Sequence, residues 1–198
     1  MGHFGLGYLL GKVFAKTMDI KLNLALLFTV SVLPDFDLVL FRFIEHRGPL
    51  HSLSFSLVVC LPFFVVYRKK AIPYFVALLS HSLIGDIFSG GVQLFWPFST
   101  DQIFISDLLV RGNVNVGLEL AIFVVSTVVM VVNKDFQRIF SKTRWVYWLL
   151  PFGAVMGPLF LTLGHYNYLP LLLVAPSLFY IALFSYSIIS SNYKNDKK

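Results

Sequence analysis

The sequence sets a histidine and a carboxylate where hydrocarbon should be. His81 and Asp86, in His81-Ser82-Leu83-Ile84-Gly85-Asp86, follow the apolar run 71–79 and precede Ser89-Gly90-Gly91 and Trp96-Pro97-Phe98. An ionisable group at the centre of a membrane helix costs about 2.5–3.5 kcal/mol on insertion scales, so such a group marks a site by default. Other stretches share this chemistry. Leu33-Pro34-Asp35-Phe36-Asp37 interrupts a second apolar run, and its proline removes a backbone donor and breaks the helix. Two carboxylates that close in hydrocarbon repel unless a cation joins them. His46-Arg47-Gly48-Pro49-Leu50-His51 offers two imidazoles across a Gly-Pro turn, and imidazole is the commonest metal ligand. His3 shares a helix face with Gly7 and Gly11. Nitrogen and oxygen donors without thiolate suit a divalent metal ion, zinc ahead of manganese or iron.

Spacing limits how these groups can act. His81 and Asp86 are five apart, so on a straight α-helix they point about 140° away from each other, at about 100° per residue. Either Gly85 permits a distortion that brings them together, or the two serve different ions of a two-metal centre. Arg47 could clamp an anionic oxygen with its planar fork or pair with Glu45. Glu119 begins a later apolar run, where it could be a ligand, a general base or an interfacial residue.

The elements that must carry these side chains are membrane helices. Of 198 residues, 57% are hydrophobic and 13% charged, against about 45–50% and about 25% in a soluble domain. The fold class is therefore all-α, one polytopic integral membrane domain over residues 1–198. Runs able to cross a core of about 30 Å occur at 22–43, 71–88, 116–132, 145–163 and 168–189. A shorter run at 53–67 spans if its ends snorkel or the bilayer thins. Residues 3–20 make a seventh span or lie in the interface, so the count is six or seven, with a broken or re-entrant helix at the site. Gly7-x-x-x-Gly11 is a small-residue face for close helix packing.

Charge sets the orientation. Of the 16 Lys and Arg, all but Arg42, Arg47 and Arg111 fall in clusters at 12–21, 68–70, 134–144 and 194–198. The positive-inside rule places these clusters, and the C-terminus, in the cytoplasm of a cell-membrane protein. The acids and histidines then separate. Asp35, Asp37, Glu45, His46, His51, His81, Asp86, Asp101, Asp107, Glu119 and His165 fall outside or in the outer half of a span. Asp19, Asp135 and Asp196 fall inside. His165 sits in a short loop away from every motif and is assigned no role.

Several functions lack their residues. Cys60 is the single cysteine, so there is no disulfide framework and no thiolate cluster. Ser89 has no G-x-S-x-G elbow, and no phosphate-binding or dinucleotide glycine pattern occurs. The positive charge is explained by topology, so no nucleic-acid partner is expected. At the start, Lys12 follows the apolar stretch rather than preceding it, unlike a cleavable signal peptide.

As an ordered set, these pieces resemble the membrane-bound, metal-dependent hydrolase family of the YdjM type. The resemblance rests on Met1-Gly2-His3, the Leu33–Asp37 and His46–Ser52 stretches, and His81–Asp86 followed by Gly-Gly-Val and Trp-Pro-Phe-Ser, over roughly residues 1–100. Where the family usually has threonine before the first histidine, this chain has Gly2. The resemblance implies a multi-pass helical protein, a hydrolase activity, and His and Asp metal ligands: His3, Asp35, Asp37, His46, His51, His81 and Asp86, for one or two ions per chain. The leading expectation is an enzyme acting on a membrane lipid, a phospholipid or lipid-linked ester, at the outer membrane–water boundary. Arg47 would hold the anionic group and Glu119 would take the proton from water. The alternative is a non-enzymatic protein whose metal or polar network braces its helices.

Overall fold

Four glycines, Gly2, Gly5, Gly7 and Gly11, let the first helix become the axis of the protein. In a computed structural model describing residues 2–38, 40, 43–105, 112–139, 145–161 and 170–195, helix α1 (Gly2–Thr17) buries Phe4, Gly5, Gly7, Tyr8, Gly11 and Ala15 on one side. A Cβ on Gly7 would stand 2.4 Å from the Ser31 Cβ, and one on Gly11 would stand 2.6 Å from the Leu27 side chain. Helix α2 (Leu24–Ser31), capped by the Asn23 side chain on Leu26 N, therefore lies directly against α1 and antiparallel to it. α1 is packed among other helices. Arg42, Asp107, Arg111, Lys142, Arg144, His165 and Asp196 lie outside the described residues.

The run 22–43 does not form the single span its hydropathy suggests. α2 has eight residues, about 12 Å at about 1.5 Å per residue, and the chain then tightens into a 3-10 turn at Pro34–Leu38. Proline cannot extend the α-helical ladder, so Asp35 and Asp37 are delivered on a turn inside the protein. This is the broken element the sequence calls for.

A helical hairpin follows. Ser52 caps α3 (Leu53–Tyr67) through its hydroxyl on Phe55 N. The chain reverses at Arg68–Ala71, where Arg68 takes φ 49°, and returns as α4 (Ile72–Ser80). Phe64 meets Phe75 near the turn, while Leu53 packs beside Ile87 at the open end. α4 continues into a π-helical turn, His81–Asp86, and the short α5 (Ile87–Ser89). Helix α6 (Asn113–Val132) runs parallel to α1: Gly2 meets Glu119, Gly5 meets Ile122, and Lys12 meets Asp135 beyond its end. Helices α7 (Asp135–Ile139), α8 (Leu149–Leu161) and α9 (Val174–Asn195) complete the described fold. Phe4, Tyr8, Phe28, Trp148, Tyr180 and Phe184 form its aromatic core.

The outside is as apolar as the inside. Leu57, Val58, Leu61 and Val65 on α3 and Val124, Val125, Val128 and Val132 on α6 are exposed, a surface suited to lipid rather than water. Leu53–Ser89 (37 residues, reversing at Arg68–Ala71), Asn113–Val132 and Leu171–Ser190 are long and apolar enough to cross a membrane, and Val146–Leu159 is a shorter apolar helix.

The two ends of the packet differ in charge. At one lie Lys12, Lys16, Lys21, Arg68–Lys70, Lys134 and Arg138. Asp135 is fully buried there, ion-paired with Lys12, accepting from Tyr8 Oη at 2.6 Å and from Arg138 at 3.1 Å. Sequence reading left it an ordinary inner-side acid, but it joins the end of α6 to α1. At the other end lie His3, His46, His51 and His81.

Candidate metal centre

The π-helical turn brings His81 and Asp86 together. Its hydrogen bonds run from residue i to i+5, so side chains five apart stack on one face, and His81 Nε2 stands 3.3 Å from Asp86 Oδ2. The distortion, not two separate sites, accounts for this pair. His81 Nδ1 lies 2.7 Å from the Ser31 carbonyl. A carbonyl can only accept, so Nδ1 carries a proton, and Nε2 is the nitrogen left to serve as a ligand. His3 lies flat on His81, ring centroids 3.9 Å apart, with Nε2 3.8 Å from Asp86 Oδ1. That seat exists because residue 85 is glycine: a Cβ there would be 2.3 Å from the His3 ring.

The 3-10 turns supply the other side. Asp37 is fully buried and its two oxygens already face donors: His46 Nδ1 at 2.9 Å, Arg47 N at 3.0 Å and His51 Nδ1 at 3.2 Å, the last off the hydrogen-bond line. Arg47 adopts φ 63° to make its contact. With Nδ1 turned to Asp37, His51 aims Nε2 at Asp86 Oδ2 (3.2 Å) and Asp35 Oδ1 (3.8 Å). Asp35 Oδ1 is in turn 3.4 Å from His81 Nε2.

Four donor atoms thus surround one point: His51 Nε2, His81 Nε2, Asp35 Oδ1 and Asp86 Oδ2, with neighbouring separations of 3.2–3.8 Å. Ligands on a tetrahedral zinc ion at about 2.0–2.1 Å are about 3.3–3.4 Å from one another. His51 Nε2, His81 Nε2 and Asp86 Oδ2 are buried with no hydrogen-bond partner, an arrangement that costs energy unless something fills it. Among the described residues, three carboxylates against the guanidinium of Arg47 leave two negative charges once the imidazoles are neutral, as metal ligands must be. A divalent cation fits both the geometry and the charge. Two separate triads, His3–His81–Asp86 and Asp35–His46–His51, each bring donor atoms within 4.8 Å and could hold an ion. Burial opposes a charge on His51, yet Asp35, Asp37 and Asp86 outweigh it and push its imidazole up to about 10.

The remaining candidates stand around this group. Arg47 does not pair with Glu45, which accepts from Gln93 Nε2 at 3.1 Å. Its fork holds Ser89, Nη1 on the carbonyl and Nη2 on the hydroxyl, both at 3.1 Å, and its Nε is 3.6 Å from Asp86 Oδ1. Glu119 Oε2 accepts from Gly2 N at 3.2 Å, one residue from His3. Ser31 and Gln93 were missed in the sequence: one acts through its backbone carbonyl, the other braces the Arg47 loop by donating from its backbone N to Arg47 O at 2.9 Å.

Fold and site together define a helical membrane protein with a buried His–Asp cluster able to hold a metal ion. The chain belongs to the YdjM inner membrane protein family, which it matches over residues 1–186, well beyond the first hundred residues that carry the motifs. It is similar to "Inner membrane protein YbcI" of Escherichia coli (strain K12), 31% identical over 147 residues, 66% of this chain and 78% of that protein. No solved structure matches it.

Proposed function

We propose that this protein is a divalent-metal-dependent hydrolase of membrane lipids, acting on a phospholipid or lipid-linked ester at the polar end of its helix packet. The observation that carries this reading is the convergence of four donor atoms, three of them buried and without a hydrogen-bond partner, among three carboxylates. His51, His81, Asp35 and Asp86 would hold the ion, with His3 and His46 extending the set toward a second. When bound, a divalent cation supplies Lewis acidity toward an ester or phosphoryl oxygen and activates water.

The chain's own residues supply the rest. Arg47, kept in place by Ser89, would bind the anionic group of the substrate. Glu119 would accept a proton from water. Asp37 fixes the rings of His46 and His51. The loop after α5 is tied to the site through Gly91 N on Asp86 O and Gln93 N on Arg47 O, and it exposes Phe95, Trp96 and Phe98. Such residues favour the membrane–water boundary, which supports an amphiphilic substrate. With the basic end in the cytoplasm, the protein is multi-pass, its C-terminus is cytoplasmic, and the site meets the outer leaflet.

A structural role is the second reading, and one observation favours it: His51 and His81 are fully buried, as in a closed, purely structural metal site. The test uses the purified full-length chain with mixed bacterial phospholipids. Product release that stops on chelation and returns with zinc or manganese supports the enzyme; metal that is held with no turnover of any lipid supports the brace.

A further inference from the structure

A second cavity lies at the opposite, basic end, between α2, α3 and α4. Its volume is about 390 Å³, within the about 300–1,000 Å³ of small-molecule sites. Its lining is mostly hydrocarbon and aromatic ring, with Val30, Val59, Phe63 and Leu78 beside Tyr74 and Tyr147. Its charged lining residues are Lys21 and Lys70, both exposed, which places them at the mouth. None of these residues belongs to the His–Asp cluster, and the cavity has no part in the proposed hydrolysis.

That distribution describes an amphiphile. Apolar interior cavities do not hold water well, because water there lacks partners. Two ammonium groups at the rim attract an anion, and lysines at a membrane surface favour anionic lipids. The occupant must therefore carry a hydrocarbon segment and a negative head. The exposed aliphatic faces of α3 and α6 put this mouth where the chain meets a bilayer, so its neighbours are phospholipids. We propose that the cavity binds one acyl chain of an anionic phospholipid from the leaflet at the basic end, with Lys21 and Lys70 on the headgroup phosphate.

The chain contains its own reporter. Cys60, the single cysteine, is buried and lines the cavity wall, so a seated acyl chain covers its thiol. The experiment measures the rate at which a membrane-permeable maleimide labels Cys60 in the detergent-purified full-length chain. Phosphatidylglycerol, phosphatidylcholine with the same acyl chains, and inorganic phosphate are each titrated in. Phosphatidylglycerol should slow labelling, and phosphatidylcholine should need a concentration about 25-fold higher, taking about fivefold for each lysine. Inorganic phosphate should have no effect. Replacing both exposed lysines (Lys21→Ala with Lys70→Ala) should erase the difference between the two lipids. Equal protection by both lipids in the wild type, protection by phosphate alone, or no protection by any of them overturns the proposal.

Discussion

His81 Nε2 and Asp86 Oδ2 stand 3.3 Å apart because the helix that carries them changes pitch between them. The turn is π-helical from His81 to Asp86, and on a regular α-helix the two would face different neighbours. Around that pair, α1 contributes His3, the Pro34 turn contributes Asp35, and the Gly-Pro loop contributes His51. Each arrives from a different element, so the cluster forms only when the fold is complete.

Gly85 is where this assembly has least room. A methyl group there would stand 2.3 Å from the His3 ring, and overpacking of this kind costs about 1–3 kcal/mol. Gly85→Ala should lower thermal stability and displace His3, loosening metal binding while leaving His51 and His81 in place. Calorimetric metal titration alongside a melting curve checks this; a variant indistinguishable from wild type in both would mean that His3 is not seated as described.

Asp37 and Asp86 should respond differently to loss of charge. Asp37 faces two imidazole nitrogens and a backbone N–H, so in the proposed site it would orient ligands rather than face the ion. Asp37→Asn should weaken metal affinity by about 10–100-fold, as for residues that position ligands. Asp86→Asn should abolish retention through gel filtration. Elemental analysis of both proteins decides; an Asp37→Asn protein as empty as the Asp86 variant would make Asp37 a direct ligand.

Metal affinity should depend on pH through His51. Its pKa is raised from 6.5 to about 10, so the metal-free protein carries a proton there at neutral pH, and a metal ion must displace it. Apparent affinity should therefore rise about tenfold per pH unit through the neutral range. For the metal-free fold the sign is opposite. A raised folded-state pKa gives stability that is full below about 6.5 and is lost as pH rises through about 10. Titrations at pH 6, 7 and 8 read the first effect; a slope of zero would show that His51 gives up no proton.

Far from the cluster, Asp135 holds α1 to the end of α6 through Lys12 and Tyr8. Removing one partner from a buried charged group costs about 3–5 kcal/mol, moderated here because Lys12 and Arg138 reach solvent. Asp135→Ala should lower the melting temperature markedly, while the protein that remains folded keeps its metal. Loss of metal from well-folded Asp135→Ala protein would contradict this division of labour.

The chemistry-bearing residues were legible because ionisable groups in apolar runs stand out against their surroundings. The helices α3, α6 and α9 were legible for the complementary reason, since long uninterrupted hydrophobicity has few other solutions. The run 22–43 misled because hydropathy averages over Pro34, and one residue without an N–H outweighs the fifteen apolar ones around it. Ser31 was invisible: it binds His81 through its carbonyl, which every residue has. The π turn and the filled carboxylate of Asp37 depend on how separate segments meet, which spacing along one chain does not encode. Nor could composition distinguish Asp135, whose partners on α1 lie more than a hundred positions away.

The most direct measurement is the metal content of the purified full-length protein, quantified per chain for wild type and for His51→Ala with His81→Ala. The account predicts at least one tightly held divalent ion per wild-type chain, and none in the doubly substituted protein at unchanged helical content. A wild type that binds no divalent ion, or a double variant that keeps its full complement, would contradict it.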